Sequence, residues 1–144
     1  MISVKEVGAE TSSYLVAIVR DYLVEIHRAP DADALSCAEL CELSHLPERI
    51  GDGSASGWLA LDNKLPVGCV VVHPTGEMGR LYVRPAHRGK GIARSLIEAA
   101  AARATWTAIA IDNDLCRSVL SSIGWADSGL REPGYRTWIP AVDS

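Results

Sequence analysis

Between Glu77 and Ala93 the chain passes from strand to loop to helix in one unbroken run: Glu77-Met-Gly-Arg-Leu-Tyr-Val-Arg-Pro-Ala-His-Arg-Gly-Lys-Gly-Ile-Ala93. The first seven residues have strand character, Arg84-Pro85 ends them, and a helix opens near Gly91. A helix start carries unpaired N–H groups and the positive end of the helix dipole, so it attracts anions. Gly89 and Gly91 take away side chains that would hold a phosphate off those groups, and Arg84, Arg88 and Lys90 add positive charge. An anion-binding loop and a capped loop with a solvated basic cluster both fit these residues.

The rest of the chain sets the frame. Ile2 to Val7 alternates as a first strand. Thr11-Ser12-Ser13 caps a helix with Leu15, Ile18, Val19, Tyr22, Leu23 and Ile26 on one face, stopping near Pro30. A second helix is expected from about Asp33 to His45, with Cys37, Leu40, Cys41 and Ser44 inward and Pro47 ending it. Ile50 to Gly57 reads as loop. Trp58 to Leu61, Val67 to Val72 and Glu77 to Val83 form an antiparallel meander through Asp62-Asn63-Lys64 and His73-Pro74-Thr75-Gly76. The helix opening near Gly91 carries Ile92, Leu96, Ala99, Ala100 and Arg103. Thr107 to Ile111 is a short strand, and Asp112 or Asn113 caps a helix bearing Leu115, Val119, Leu120 and Ile123 before Gly124. Tyr135 to Ile139 is a last strand. The fold class is α/β (α+β): a mixed, mostly antiparallel sheet flanked by helices, in the order β-α-α-β-β-β-α-β-α-β.

At 144 residues the chain suits one domain spanning 1–144, with enough length to bury a core without staples. A net charge of −4 opposes a nucleic-acid partner, which needs a basic face. Four scattered cysteines, Cys37, Cys41, Cys69 and Cys116, make no disulfide framework and are expected to pack as buried apolar groups. The opening residues lack the basic-then-apolar order of a secretion signal, and no apolar run reaches the roughly 20 residues of a membrane span. The expectation is a soluble, cytoplasmic protein without membrane or nucleic-acid partners, for which a homodimer is allowed. His27, His45, His73 and His87 stand apart without metal-ligand spacing, so no metal is expected.

Two phosphate motifs compete for the glycine loop. A Walker-type loop needs Ser or Thr directly after Gly-Lys, and Gly91 follows Lys90. The dinucleotide fingerprint would put its third glycine at Arg94, and Arg84 to Arg88 separate the strand from Gly89 where that motif turns tightly. Instead, Arg88-Gly-Lys-Gly-Ile-Ala93 resembles the acetyl-CoA diphosphate loop of the GCN5-related N-acetyltransferases, Gln/Arg-x-x-Gly-x-Gly/Ala. Leu81-Tyr82-Val83-Arg84-Pro85 is similar to that family's fourth strand, and Asn113 ahead of Gly124-Trp125 to its downstream Asn…Gly-Phe signature.

The resemblance implies an N-acetyltransferase using acetyl-CoA as cosubstrate, with an amine of a small molecule, amino acid or peptide attacking the thioester directly. It implies that the backbone of Leu81, Tyr82 and Val83 pairs with the pantetheine arm. It implies that the amides of Arg88, Gly89, Lys90, Gly91, Ile92 and Ala93 hold the diphosphate. Asn113 would reach the arm, cap its helix, or do both. Glu77 matches the position of a carboxylate base. At the position seven residues after the Asn, where the family places a tyrosine acid, this chain has Leu120. Cys116, Ser121 and Tyr135 are the other candidate donors, with packing favoured for Cys116. Asp31 and Asp33 could attract a cationic amine, although a solvated turn is the simpler reading. The rival function, motivated by Leu120, is an acetyl-CoA-binding sensor or regulatory module without efficient transfer.

Overall fold

Val67-Gly-Cys-Val-Val-Val72 is apolar without alternation, and its burial explains why: both of its faces are covered. In the computed structural model, which describes residues 1–31 and 34–140, this segment lies in the middle of a sheet with helices on either side. The elements are β1 (Ile2–Glu6), α1 (Ser12–Ile26), α2 (Cys37–Asp52), β2 (Ser56–Asp62), β3 (Leu65–Val72), β4 (Met78–Val83), α3 (Ile92–Ala101), β5 (Thr107–Ala110), α4 (Asp114–Ser122), β6 (Trp125–Glu132) and β7 (Tyr135–Pro140). β1-β2-β3-β4 form one antiparallel sheet and β5-β7-β6 another. They meet at a parallel bridge between Glu77 and Trp106. There Met78 N–H donates to the Trp106 carbonyl at 2.9 Å and the Thr107 hydroxyl to the Met78 carbonyl at 2.7 Å. Past that point no ladder joins β4 to β5 among the described residues.

The core lies in two layers. Leu15, Ile18, Val19 and Leu23 of α1 and Leu43, Leu46 and Ile50 of α2 pack on Cys69, Val71 and Tyr82. On the opposite face Leu96, Ile97 and Ala100 of α3 and Val119 and Leu120 of α4 meet Val67, Val70 and Trp138. Each fully buried aliphatic side chain contributes about 1.5–3 kcal/mol, and the α3–α4 layer, which includes Trp125 and Trp138, joins the second sheet to the first. No helix among the described residues is long and apolar enough to cross a membrane.

Three expectations are corrected. The second helix starts at Cys37, capped by Ser36 and Glu39 in a reciprocal box, and runs through Pro47 to a left-handed stop at Gly53. A proline inside a helix forfeits a hydrogen bond at a cost of about 3 kcal/mol; burying Ile50 beyond it works against that loss. The inward face is therefore Leu43, Leu46 and Ile50, while Leu40, Cys37 and Cys41 are exposed. Second, β6 joins the expected order: Asp127, Ser128 and Gly129 disguise it, because the strand accommodates them with two register shifts against β7. Third, Ile26 and Leu115, both assigned to core faces, are 56% and 59% exposed. Asp33 lies outside the described residues, and Asp31 is exposed.

Candidate active site

The strand that borders the opening between the sheets is built to bend. Tyr82 pairs with Cys69 and Gly79 with Val71, so Arg80 and Leu81 together oppose Val70. This is a bulge, and Arg80 takes the left-handed conformation within it (φ 55°). Glu42 of α2 receives the Arg80 Nε and Nη2 hydrogens at 2.9 and 2.6 Å, and the Cys69 thiol donates to the Arg80 carbonyl at 3.3 Å. Leu81, Tyr82 and Val83 follow with β3 on one side and an unpaired edge toward β5.

From Val83 the chain crosses a short 3-10 turn (Pro85–His87) to the glycine loop. Gly89 and Gly91 both hold positive φ, 79° and 81°, where a side chain would be strained. The space beside each is open, so their conformation is the stronger reason for glycine. No acceptor meets the N–H groups from Gly89 to Arg94 among the described residues; the next, of Ser95, reaches the Gly91 carbonyl at 3.2 Å. Ile92 packs in the core, so what it offers the loop is its backbone. The expected cations are mostly engaged. Arg84 pairs with Asp21 at 3.1 Å and Arg88 with Glu25 at 2.8 Å, both on α1. Arg88 also donates to the Val83 carbonyl and lies over the Tyr82 ring. Lys90 has no ion pair among the described residues, but it is exposed and off the cleft wall.

Three neighbouring cavities, sharing lining residues in sequence, lie along β4 from the loop. A cleft of about 780 Å³ runs from Gly89 and Gly91 past Tyr82 and Val83, between Ile26 on one wall and Leu115 on the other. These two exposed side chains account for the apolar surface that sequence periodicity had assigned to the core. Tyr22, Leu81, Asn113 and Cys116 line both this cleft and a smaller pocket of about 260 Å³, sunk between β4 and β5. Gly79 and Arg80 in turn border both that pocket and a polar cavity of about 510 Å³ under α2, where Glu77 lies. A Cβ built on Gly79 would stand 3.2 Å from His73 Nε2 and 3.9 Å from Glu77 Oε1, so both side chains face that bare backbone.

Donors around the middle pocket are few. Leu120 is fully buried at its wall. Asn113 Oδ1 accepts from the Cys116 N–H at 3.2 Å, capping α4 while lining the pocket. Burial pushes the Cys116 thiol up. Tyr135 reaches the pocket from β7, 42% exposed. Tyr22, which periodicity marked only as a core-facing residue, lines the junction of cleft and pocket. Burial raises its hydroxyl's pKa, with nearby Arg80 opposing. Its position depends on how α1 crosses the mouth of the sheet, which no local pattern encodes.

A family model of the acetyltransferase (GNAT) domain matches residues 53–124, from the end of α2 through α4. No curated protein matches the chain by sequence. Solved structures with the same fold include yncA of Salmonella typhimurium with its cofactor acetyl-CoA (14% identity, TM-score 0.69, covering 100% of this chain and 95% of that one). They include a GNAT acetyltransferase of Staphylococcus aureus (10%, TM-score 0.65, 97% and 98%). A third is a GCN5-related N-acetyltransferase of Ralstonia eutropha (18%, TM-score 0.62, 92% and 98%). With half the chain matched by the family model and the split sheet, bulged strand and glycine loop in place, the chain belongs to the GNAT family of N-acetyltransferases.

Proposed function

We propose that the chain, as one domain over residues 1–144, moves the acetyl group of acetyl-CoA onto the amine of a small molecule, amino acid or peptide. The observation that carries this reading is the succession of neighbouring cavities along β4, from the unmet amides of the Gly89–Gly91 loop, past the gap between β4 and β5, to the cavity lined by Glu77. The amides from Gly89 to Ala93 would take the diphosphate, with the Arg88 N–H, which donates to the Pro85 carbonyl at 3.3 Å, at the edge of that set. The unpaired edge at Leu81, Tyr82 and Val83 would take the amide-bearing arm, between Ile26 and Leu115. That acetyl-CoA is present in the yncA structure supports the same cosubstrate here. The four cysteines are free, two of them exposed, which suits the reducing cytoplasm.

In the reaction a neutral amine attacks the thioester carbonyl carbon. The N–C bond forms, the C–S bond breaks and CoA leaves as thiolate. A lysine-like amine costs about 4.6 kcal/mol to deprotonate at pH 7 and an α-amino group about 1.4, so a base matters most for the former. Glu77, facing the bare backbone of Gly79, takes that proton through water. The thiolate, of a thiol with pKa near 8.5, is stable enough to depart and be protonated later. The test is release of free thiol from acetyl-CoA across a panel of amines. Binding of acetyl-CoA without release on any amine is the result that favours the sensor reading, which the apolar Leu120 at the pocket wall supports.

A further inference from the structure

The cavity under α2 has a charge arrangement that selects among amines. Its walls carry Glu42 and Arg49 from α2, His73 from the end of β3, and Glu77 and Arg80 at β4. Two of these charges cancel each other, because Arg80 and Glu42 close a two-point hydrogen-bonded pair. What remains is one guanidinium, Arg49, and one carboxylate, Glu77, neither in an ion pair among the described residues. Asp52, one turn beyond Arg49, points its carboxylate at the Ser54 N–H at 2.8 Å. His73 faces Arg49, Arg80, Glu42 and Glu77, and burial keeps its imidazole below the ordinary histidine pKa. The cavity is thus polar and neutral overall, positive on the α2 wall and negative at the end nearest the acetyl path.

Common classes of amine fit this unequally. A polyamine, with no anionic group of its own, would meet the free Arg49 guanidinium unpaired. A plain alkylamine would leave Arg49 without a partner. A peptide N-terminus has no carboxylate beside its amine. A small molecule holding both an ammonium and a carboxylate satisfies both ends, since the planar guanidinium matches a carboxylate in a two-point fork. The cavity, at about 510 Å³, is of the size that small-molecule sites take. Gly79 and Arg80 border the pocket between β4 and β5, so the Glu77 end is where the amine must lie to reach the thioester.

We propose that the acceptor is an amino-acid-like zwitterion, with Arg49 binding its carboxylate and setting specificity while its amine lies against Glu77. This rests on the acetyl-transfer reading above. The ammonium gives one proton through water to Glu77, the freed nitrogen bonds the acetyl carbon as the C–S bond breaks and CoA leaves as thiolate, the nitrogen's second proton passes to solvent, and the acceptor's carboxylate takes no part in bond making.

The test uses the full chain, acetyl-CoA and free-thiol detection. Amino acids are compared with their amides, with the corresponding decarboxylated amines, and with spermidine. Amino acids should exceed their amides by about 10- to 100-fold in kcat/KM, the worth of a charged hydrogen bond. Arg49→Gln should raise KM for the amino acid by a similar factor with kcat nearly kept, leaving the amide's KM and that of acetyl-CoA unchanged. Arg49→Lys, which keeps charge without the fork, should fall between, and a thermal melt checks that each variant folds. Preference for spermidine or the amides, or an equal effect of Arg49→Gln on acid and amide, overturns the zwitterion and leaves acetyl transfer standing. No thiol release on any amine, with acetyl-CoA still stabilising the fold, overturns both.

Discussion

Arg80 and Glu42 join the bulge of β4 to α2 by two hydrogen bonds of 2.9 and 2.6 Å, and Arg80 holds its left-handed backbone at that junction. The pair raises the guanidinium's pKa, first through the hydrogen bonds to Glu42. Glu42→Gln removes the charge from one partner of a half-buried pair and should cost about 1–3 kcal/mol in urea unfolding. Arg80→Ala and Arg80→Gly both lose the pair, but glycine relieves the backbone. The glycine variant should be the more stable of the two by about 1 kcal/mol. Equal stabilities would mean that φ near 55° carries no strain here.

Acetyl-CoA at a hundred times its dissociation constant should stabilise the fold by about 2.7 kcal/mol. Gly91→Val should remove most of that gain, by crowding the amides and by forcing a β-branched residue to positive φ. Thermal unfolding with and without ligand separates the two effects, since the strain lowers the melting point without ligand as well. No shift of the parent at millimolar acetyl-CoA would sink the assignment of the loop.

Glu77→Gln should lower turnover more than it weakens cofactor binding, because Glu77 lines a different cavity from the cleft along Leu81–Val83 and the glycine loop, where the cosubstrate is proposed to lie. The defect should shrink as pH rises toward the amine's pKa, where more acceptor arrives neutral. A rate equal to the parent's at every pH takes Glu77 out of the mechanism.

Leu120→Ala should raise the KM for acetyl-CoA and cost about 2–5 kcal/mol of stability, because a fully buried side chain is truncated at the pocket wall. Cys116→Ala, Tyr135→Phe and Tyr22→Phe test the hydroxyl and thiol donors that remain there. Each should keep turnover within about tenfold if the thiolate leaves unassisted, since an acid is worth about 10²–10⁴. A loss beyond that in one variant, with binding intact, identifies the donor; burial keeps the Tyr22 hydroxyl protonated, so it is the first to try.

His73 sets a pH response in stability. Burial holds its folded pKa below the ordinary value of 6.5, with Arg80 and Arg49 acting the same way against Glu42 and Glu77. Between the two values the unfolded chain binds more protons, so stability is complete above about pH 6.5 and declines as pH falls through the folded value. Asp127 beside Arg136 and Asp62 beside His87 are held below the usual carboxylate range, which places their loss in more acidic solution. His73→Gln should flatten the first decline and spare the second, as read from melting temperatures across pH. An unchanged profile would show that His73 is solvated.

Strand, loop and helix succession from Glu77 to Ala93 could be read directly, because period, Pro and Gly act through neighbouring residues. So could the stop at Gly124 and, as one of two candidates with Asp112, the cap at Asn113. Pro47 misled for the same reason: a local rule ends the helix there, and the burial of Ile50 that continues it belongs to the packing of α2. Ile26 and Leu115 carry the period of core residues, yet both are exposed and line the same cleft, which the local sequence does not announce. The cavity's charges are the clearest case. Arg80 and Glu42 lie 38 positions apart, so which cation is cancelled and which left free is decided by α2 folding over β4. Side-chain chemistry was legible in the sequence, whereas the pairing of charges across the sheet needed the tertiary fold, because long-range contacts leave no local period.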